Sequence, residues 1–403
     1  MKILCHPNFG EEPFLPKKPI LTILRSIITT NSDDHIGLAV VRSLGKNNID
    51  FQVVSKTKNT LAWHSRYCNN KTIGRYNLDF FSKLSKDDVI FPMLEDTMLL
   101  LAKHTSKLQC QMGFSNYETL QITADKSLLV QHAIEHKIPC PKTFFITKPE
   151  DIKNCVPDIE FPAILKPSRG AGGKGIRSVD SPELLREIAD KSLINNGSFL
   201  LQEKIPFTTK YTIGTLCNSE HELKRVCVIK ELRNYPIETG QACYVETVNE
   251  PRLVIMVEKL LKSLNFVGVA DIDLVIDARD NQPKLMEINP RFWGSLQGAI
   301  NAGVDFPNLL YTMLRDGDIE KSLSYKTGIR CRYMFSNDLM RLITIMQSDY
   351  SREYKRKALR DFFIIPKDDG YYVYSNDDIM PFFGLAYIKL IRKLGLEKKD
   401  QTN

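Results

Sequence analysis

A chain of 403 residues with 43% apolar and 26% charged residues is too long for one ordinary core and too apolar for a disordered polymer, so two or three lobes are expected. Its formal charge of +7, from 55 basic and 48 acidic residues, is a mild bias toward anionic ligands and too weak to argue for nucleic acid. The nine cysteines are scattered without a Cys-x-x-Cys pair, which argues against a disulfide framework or a zinc site and for a reducing, cytoplasmic setting.

Residues 1–18 are rich in proline and charge, lack the apolar centre of a signal peptide, and read as an N-terminal extension. Residues 21–30 form an apolar, β-branched run, hence a buried strand. Asp33 and Asp34 start a helix that Gly45 is expected to stop. Residues 51–55 and 89–92 read as further strands, and a helix follows over 96–107. This alternation predicts a small Rossmann-like lobe over 19–115. No glycine-rich phosphate turn follows its first strand, so no dinucleotide is expected there.

Thr123 is the expected cap of a helix that begins near Lys126, with Val130, Ile134 and Ile138 at four-residue spacing and Pro139 and Pro141 ending it. The next lobe, about 142–203, holds a strand at 163–166, a glycine loop, a strand at 176–179, a helix over 182–191 and a strand at 199–203. Another lobe, about 204–315, carries the acidic motifs, and residues 316–403 read as a mainly helical C-terminal region. Within it, residues 379–396 are broken by Lys389, Arg392 and Lys393 and read as a docked amphipathic helix rather than one lying on a membrane. No apolar run approaches the roughly 20 residues of a spanning helix, so no transmembrane segment is expected.

The glycine loop contains Gly170, Gly172, Gly173, Lys174 and Gly175. Its G-x-G-x-x-G spacing is weak evidence alone. A Rossmann fingerprint opens a helix, whereas Ile-Arg-Ser-Val follows here, which is strand-like. A kinase loop precedes its lysine strand, whereas Ile164-Leu165-Lys166-Pro167 comes before this one. A Walker loop needs Ser or Thr after its lysine, and Lys174 is followed by Gly175. What fits is a hairpin loop whose backbone N–H groups can approach a polyphosphate.

The acidic hairpin is more specific. Asp271 and Asp273 share one face of a strand, and Leu285, Glu287 and Asn289 share a face of the next. Folding back about Asp280 places Asp273 opposite Glu287. Two carboxylates facing each other need a positive charge between them, and oxygen donors with an Asn suit Mg²⁺.

Glu287-Ile-Asn289-Pro-Arg291 is similar to the metal-binding signature of ATP-grasp enzymes such as biotin carboxylase and the carbamoyl phosphate synthetase large chain. The upstream acidic residue, the glycine loop, the lysine before it and the Glu203-Lys204 pair ending a strand stand in the same order, so the resemblance covers roughly residues 20–315. Stand-alone carboxylate–amine ligases with a Phe-Trp-Gly-Ser run look closest. The resemblance implies an α/β ATP-grasp fold: a Rossmann-like domain over 19–115, an ATP-grasp domain over 116–315 and the helical region behind it. It also implies roles for individual residues. Lys126 and Lys166 would contact nucleotide phosphates, Glu203 would accept from the adenine amino group, and the Lys204 and Ile205 backbone would complete that edge. Asp273, Glu287 and Asn289 would hold Mg²⁺, for which Mn²⁺ could substitute, and Arg291 would face the transferred phosphoryl group. Lys230 and Arg233, near the end of a strand, are candidates for binding phosphate or carboxylate. The implied reaction joins a small-molecule carboxylate to an amine at the expense of ATP; a kinase or carboxylase, or a non-catalytic nucleotide-binding module, are the alternatives. The Tyr371–Tyr374 and Pro381–Phe383 runs offer a cover for the site or a homodimer interface.

Overall fold

The computed structural model describes residues 25–30, 35–170, 175–188, 198–237, 240–364, 366 and 369–395. The sequence-predicted extension over 1–18, the helix start at Asp33 and Asp34, and Gly172, Gly173 and Lys174 of the glycine loop lie outside the described residues.

The first sheet is parallel. Its strands are β1 (Arg25–Thr30), β2 (Phe51–Ser55), β3 (Lys71–Ile73), β4 (Asp88–Pro92) and β5 (Gln111–Met112), in the order β3-β2-β1-β4-β5. Central β1 is buried on both faces, as its continuous apolar run requires. The following helix, His35–Lys46, does not stop at Gly45. A side chain at position 45 would overlap Tyr67, so this glycine admits a close neighbour. The helix is terminated instead by Asn48, at φ 54°, with Ile49 N–H returning to the Leu44 carbonyl. Similarly, the helix expected over 96–107 runs as Glu95–Lys103 and then tightens into a 3₁₀ turn at Thr105–Lys107.

The second sheet is antiparallel: β6 (Thr143–Ile146), β7 (Ala163–Pro167), β8 (Arg177–Val179) and β9 (Phe199–Glu203), in the order β6-β9-β7-β8. The helix before it starts at Lys126, but its cap is Asp125, whose carboxylate accepts from the Ser127 and Leu128 N–H groups. Thr123 sits in the last turn of a preceding helix, Tyr117–Ala124, with its hydroxyl donated to the Leu120 carbonyl. The Lys126 N–H bonds the Ser168 carbonyl at 2.8 Å, which ties the helix start to the end of β7.

The third sheet has seven strands. In chain order they are β10 (Phe207–Cys217), β11 (Leu223–Tyr235), β12 (Gln241–Thr247), β13 (Gly268–Asp277), β14 (Pro283–Asn289), β15 (Arg330–Arg332) and β16 (Gly370–Tyr371), and in space β14-β13-β10-β11-β12-β15-β16. A boundary at residue 315 would cut this sheet, because its last two strands come from the C-terminal region. That region is otherwise helical, with helices Leu339–Gln347, Arg352–Phe363 and Met380–Lys393.

One core joins the first and third sheets. Val41 and Leu44 of the first helix share it with Ile229, Val245, Trp293, Cys331 and Tyr372. A buried ion pair locks the C-terminal segment onto that helix. Arg42 Nε donates to Asp378 Oδ2 at 2.9 Å, and its Nη2 donates to the Val373 carbonyl at 2.8 Å. Asp378 also accepts from the Ser65 hydroxyl at 2.7 Å and the Arg66 N–H at 2.8 Å. Removing one partner leaves a buried uncompensated charge. Asp378→Ala is expected to destabilise the protein by about 3 kcal/mol, read by chemical denaturation, and to speed amide exchange across residues 370–393. Wild-type stability in that variant would show that the pair does not hold the segment.

Candidate active site

The acidic hairpin forms as the alternation requires. β13 and β14 pair antiparallel with Asp273 opposite Glu287 and Asp271 opposite Asn289. On the other side of β13, Asp273 faces Thr212 of β10 and Asp271 faces Gly214. One face of β14-β13-β10-β11 therefore gathers Glu287, Asn289, Asp271, Asp273, Thr212, Lys210 and Glu231. These residues line a cavity of about 290 Å³, with Ile36, Arg291, Trp293 and Ser295 on its rim.

Two lysines neutralise the carboxylates. Lys210 Nζ lies 3.2 Å from Glu231 Oε1 and 3.4 Å from Asp273 Oδ2. The Thr212 hydroxyl lies 3.0 Å from the same Glu231 oxygen and 3.2 Å from Asp273 Oδ1. Lys126 Nζ lies 2.8 Å from Glu287 Oε1 and donates to the Gly170 carbonyl at 2.6 Å, so one ammonium links the hairpin to the glycine loop.

The electrostatics follow from burial. Desolvation raises Asp273 to about 6, with Lys210 opposing and Glu231 and Glu287 adding to the rise. Asp271 lies well above the usual carboxylate range, chiefly through burial and then through Asp273. Burial works against the charge on Lys210, but Asp273 and Glu231 together outweigh it and hold its pKa above the ordinary lysine value. Lys166, on β7, is almost fully buried, and desolvation lowers its pKa to about 8 despite the pull of Glu287.

The donor set fits a hard divalent cation. Asp271 Oδ1 is buried without a hydrogen-bond partner among the described residues. Asn289 Nδ2 reaches Asp271 Oδ2 only at 3.5 Å. Among the described residues, no three His, Cys, Asp or Glu side chains converge as a ready-made metal cage. Mg²⁺ takes a few protein oxygens and completes its shell with phosphate oxygens and water, and the oxygens of Asp271, Asp273, Glu287 and Asn289 on this cavity are of that kind.

The other sequence-predicted residues divide. Arg291 follows β14 in a tight turn; its Nη1 donates to the Phe292 carbonyl at 3.0 Å and its Nη2 lies 3.5 Å from Asn289 Oδ1, so it lines the cavity. Gly170, at φ 135°, and Gly175, at φ 80°, adopt backbone that favours glycine and border a second cavity with Asp125, Ser168 and Ser198. Both oxygens of Glu203 are engaged: Oε2 pairs with Arg279 at 2.8 Å and Oε1 accepts from the Lys142 N–H at 2.8 Å. Its side chain is thus occupied, with exposed Lys204 and buried Ile205 following directly on the chain.

Lys230 and Arg233 are not brought to the cavity. Lys230 pairs with Tyr211, whose side chain packs in the core on the opposite face of the sheet. Glu231, the next residue, takes the inward place instead. Arg233 sits 3.0 Å from Asp338 and over the Tyr244 ring at 4.4 Å, so it fastens the C-terminal region.

Sequence reasoning missed Lys210, Thr212, Glu231 and Glu95. Glu95 follows β4, and its carboxyl is raised by burial while Arg291 and Lys126 lower it, so it belongs to the same electrostatic neighbourhood. The signal for Lys210 and Thr212 was alternation along β10. Gly214 completes that alternation: any side chain there would collide with the Trp293 indole laid against the strand.

Comparison with known proteins supports this geometry. Residues 123–295 match the family model described as ATP-grasp domain. The large chain of carbamoyl phosphate synthase from Thermotoga neapolitana is 22% identical over 203 residues, covering 48% of this chain and 18% of that one. This chain thus spans about a fifth of that relative's length. N5-carboxyaminoimidazole synthetase from Staphylococcus aureus superposes with a TM-score of 0.60 at 14% identity, over 76% of this chain and 80% of that one. Biotin carboxylase from Campylobacter jejuni, solved as a β-γ-ATP complex, gives 0.59 at 16% identity, over 76% and 74%. The order of motifs, the hairpin register and these likenesses agree: residues 123–295 match an ATP-grasp domain, and the fold around them is of the ATP-grasp kind.

Proposed function

We propose that this protein is an ATP-dependent carboxylate–amine ligase that forms an acyl-phosphate. The observation that carries the reading is the single sheet face on which Asp273, Glu287 and Asn289 meet Lys126 and Lys210 beside Arg291, joined to the glycine loop through Lys126. Such a face collects opposite charges in a desolvated place, where polyphosphate chemistry is done by positioning and neutralisation.

In this reading, a carboxylate oxygen attacks the γ-phosphorus while the bond to the β–γ bridging oxygen breaks and ADP leaves. The amine nitrogen then attacks the acyl carbon, phosphate departs with the C–O bond electrons, and the nitrogen loses a proton. Lys126 and Lys166 would neutralise the phosphates, and Arg291 would meet the oxygens of the transferred group. Asp273, Glu287 and Asn289 would hold Mg²⁺, or Mn²⁺ in its place, which would supply positive charge to the breaking P–O bond. The Trp293 indole, laid against Gly214 beside the cavity, would help to keep water from the acyl-phosphate. The same reading assigns residues 19–115 to a Rossmann-like domain and 116–315 to the ATP-grasp domain, whose large sheet the C-terminal region extends with β15 and β16.

ADP and inorganic phosphate are expected in equal amounts, and only when a carboxylate or bicarbonate is supplied with an amine. AMP and pyrophosphate would sink the mechanism, and ADP without any acceptor would point to a kinase or hydrolase.

Glu287→Gln is expected to keep the fold and lower turnover on the order of a hundredfold, about 3 kcal/mol of transition-state stabilisation. Near-normal kcat in that variant would remove the hairpin from the reaction.

Lys166 supplies a pH test. With its pKa near 8 in the free protein, it loses its charge as pH rises through that value. ATP binding should therefore weaken between about pH 7 and about pH 9, while Lys166→Met binds weakly with a flat profile. Stability of the unliganded fold moves the other way. The depressed folded-state pKa costs stability in full below about pH 8, and that cost is recovered as pH rises from about 8 toward the ordinary lysine value of 10.5. Equal ATP affinity across that range in the wild type would mean that Lys166 does not meet the phosphates.

A further inference from the structure

We propose that the C-terminal helices seat this protein on an anionic lipid surface, with the exposed apolar stripe of helix Met380–Lys393 entering the headgroup layer and the neighbouring arginines pairing with the lipid phosphates. The helix is docked on one side by Pro381, Gly384, Leu385 and Ile388, all buried. Gly384 lies against His64 so closely that a side chain would overlap the ring. Docking accounts for that face alone. On the other face Met380, Phe383, Tyr387, Leu390 and, just beyond the helix, Leu394 are 53–59% exposed. Their spacing of three and four residues puts all five on one stripe about 21 Å long. A helix apolar on both faces belongs in a core or against lipid, and this one has a core on one face only.

The surroundings repeat the pattern. Of the 19 exposed large apolar residues described, 14 lie between Phe335 and Leu394, so the apolar surface is concentrated in this region. Helices Leu339–Gln347, Arg352–Phe363 and Met380–Lys393 carry one, five and three cationic residues, against two acidic ones. On the second of these helices Arg352, Arg356 and Arg360 share the exposed side with Leu359 and Phe363. Lys389 and Lys393 border the apolar stripe of the third. The three helices are neighbours. Lys389 Nζ donates to Ser336 Oγ at 2.7 Å and Phe382 meets Phe335 edge to face at 5.3 Å, in the segment that leads directly into helix Leu339–Gln347. That helix shares a small core with Arg352–Phe363 through Leu342 and Phe362.

Charge selects the occupant. A second copy joined across a two-fold axis would bring cation-rich helices toward each other with few acids to answer them. An anionic bilayer answers both features, apolar depth for the stripe and negative charge for the arginines. No described helix is long and apolar enough to cross a membrane, so the attachment lies on the surface.

The test is flotation of the full-length protein with phosphatidylcholine vesicles, with and without phosphatidylserine, paired with analytical ultracentrifugation without lipid. Wild type should float with the phosphatidylserine vesicles and be released by high salt. F383D/L390D should lose at least roughly tenfold in partitioning. R352E/R356E should lose the salt-sensitive part. Circular dichroism and ATP binding of the variants, whose changes lie outside the cavity, should match wild type. Wild type that stays with the unbound fraction would overturn the proposal, as would binding indifferent to F383D/L390D. A dimer that F383D/L390D dissociates, without vesicle binding, would overturn it in favour of a second copy covering the stripe.

Discussion

Four carboxylates, Asp271, Asp273, Glu231 and Glu287, are held on one face of adjacent strands, and the fold has to supply the positive charge that lets them stay there. Two like charges about 4 Å apart cost about 4 kcal/mol at the effective dielectric of a protein surface, so such a face is untenable without partners. Lys210 answers two of the acids from β10, and Lys126 answers a third from the start of a helix in another part of the chain. Asp271 keeps a buried oxygen without a partner among the described residues and retains its proton more readily than an ordinary carboxylate. The site is therefore a charge balance in which Asp271 is the acid least answered by the chain's own cations, and its oxygens are of the kind a hard cation takes.

That balance explains why the strand register matters so much. A slip of one residue between β13 and β14 would turn Glu287 and Asn289 into the core and bring Ile288 to the cavity. Trp293 stabilises the arrangement from above by lying against Gly214, in the same row as Asp271 and Asn289. The indole is part of the core that continues to the first helix and the C-terminal segment, so the cavity floor is braced by packing remote from it. Lys126 adds a second brace. Its ammonium spans Glu287 and Gly170, so the glycine-loop lobe and the acidic hairpin share a single charge.

The C-terminal region has two jobs in this architecture. Inward, Asp378 takes Arg42 and Asp338 takes Arg233, each a buried acid holding a guanidinium from an earlier part of the chain, and Asp338 also pairs with nearby Arg332. Outward, its helices present apolar and cationic groups to the surroundings. Arg233 illustrates the first job. Its basic charge beside a strand end suggested a ligand, and its partner turned out to be a residue more than a hundred positions away.

Local pattern determined a good deal here. Alternation in Ala270–Ile276 and in Lys284–Asn289, with a turn about Asp280, was enough to place Asp273 opposite Glu287, because strand period and hairpin geometry leave little freedom. The glycine loop between strands and the lysine before it were legible for the same reason. Helix ends were less so. Gly45 and Thr123 both looked like boundary residues, but one makes room for Tyr67 and the other lies inside an earlier helix, and neither contact is visible to a local reading. The pairing of β10 with β13 was decided by tertiary structure alone, since it joins strands some sixty residues apart through an irregular register, and β11 follows β10 as the other arm of a hairpin. That pairing put Lys210, Thr212 and Glu231 into the site and turned Lys230 out of it. The sequence by itself put the Asp273 and Glu287 carboxylates face to face; only the folded sheet decided which cations of the chain itself would neutralise them, because charge pairing across non-adjacent strands depends on distance in space and not on distance along the chain.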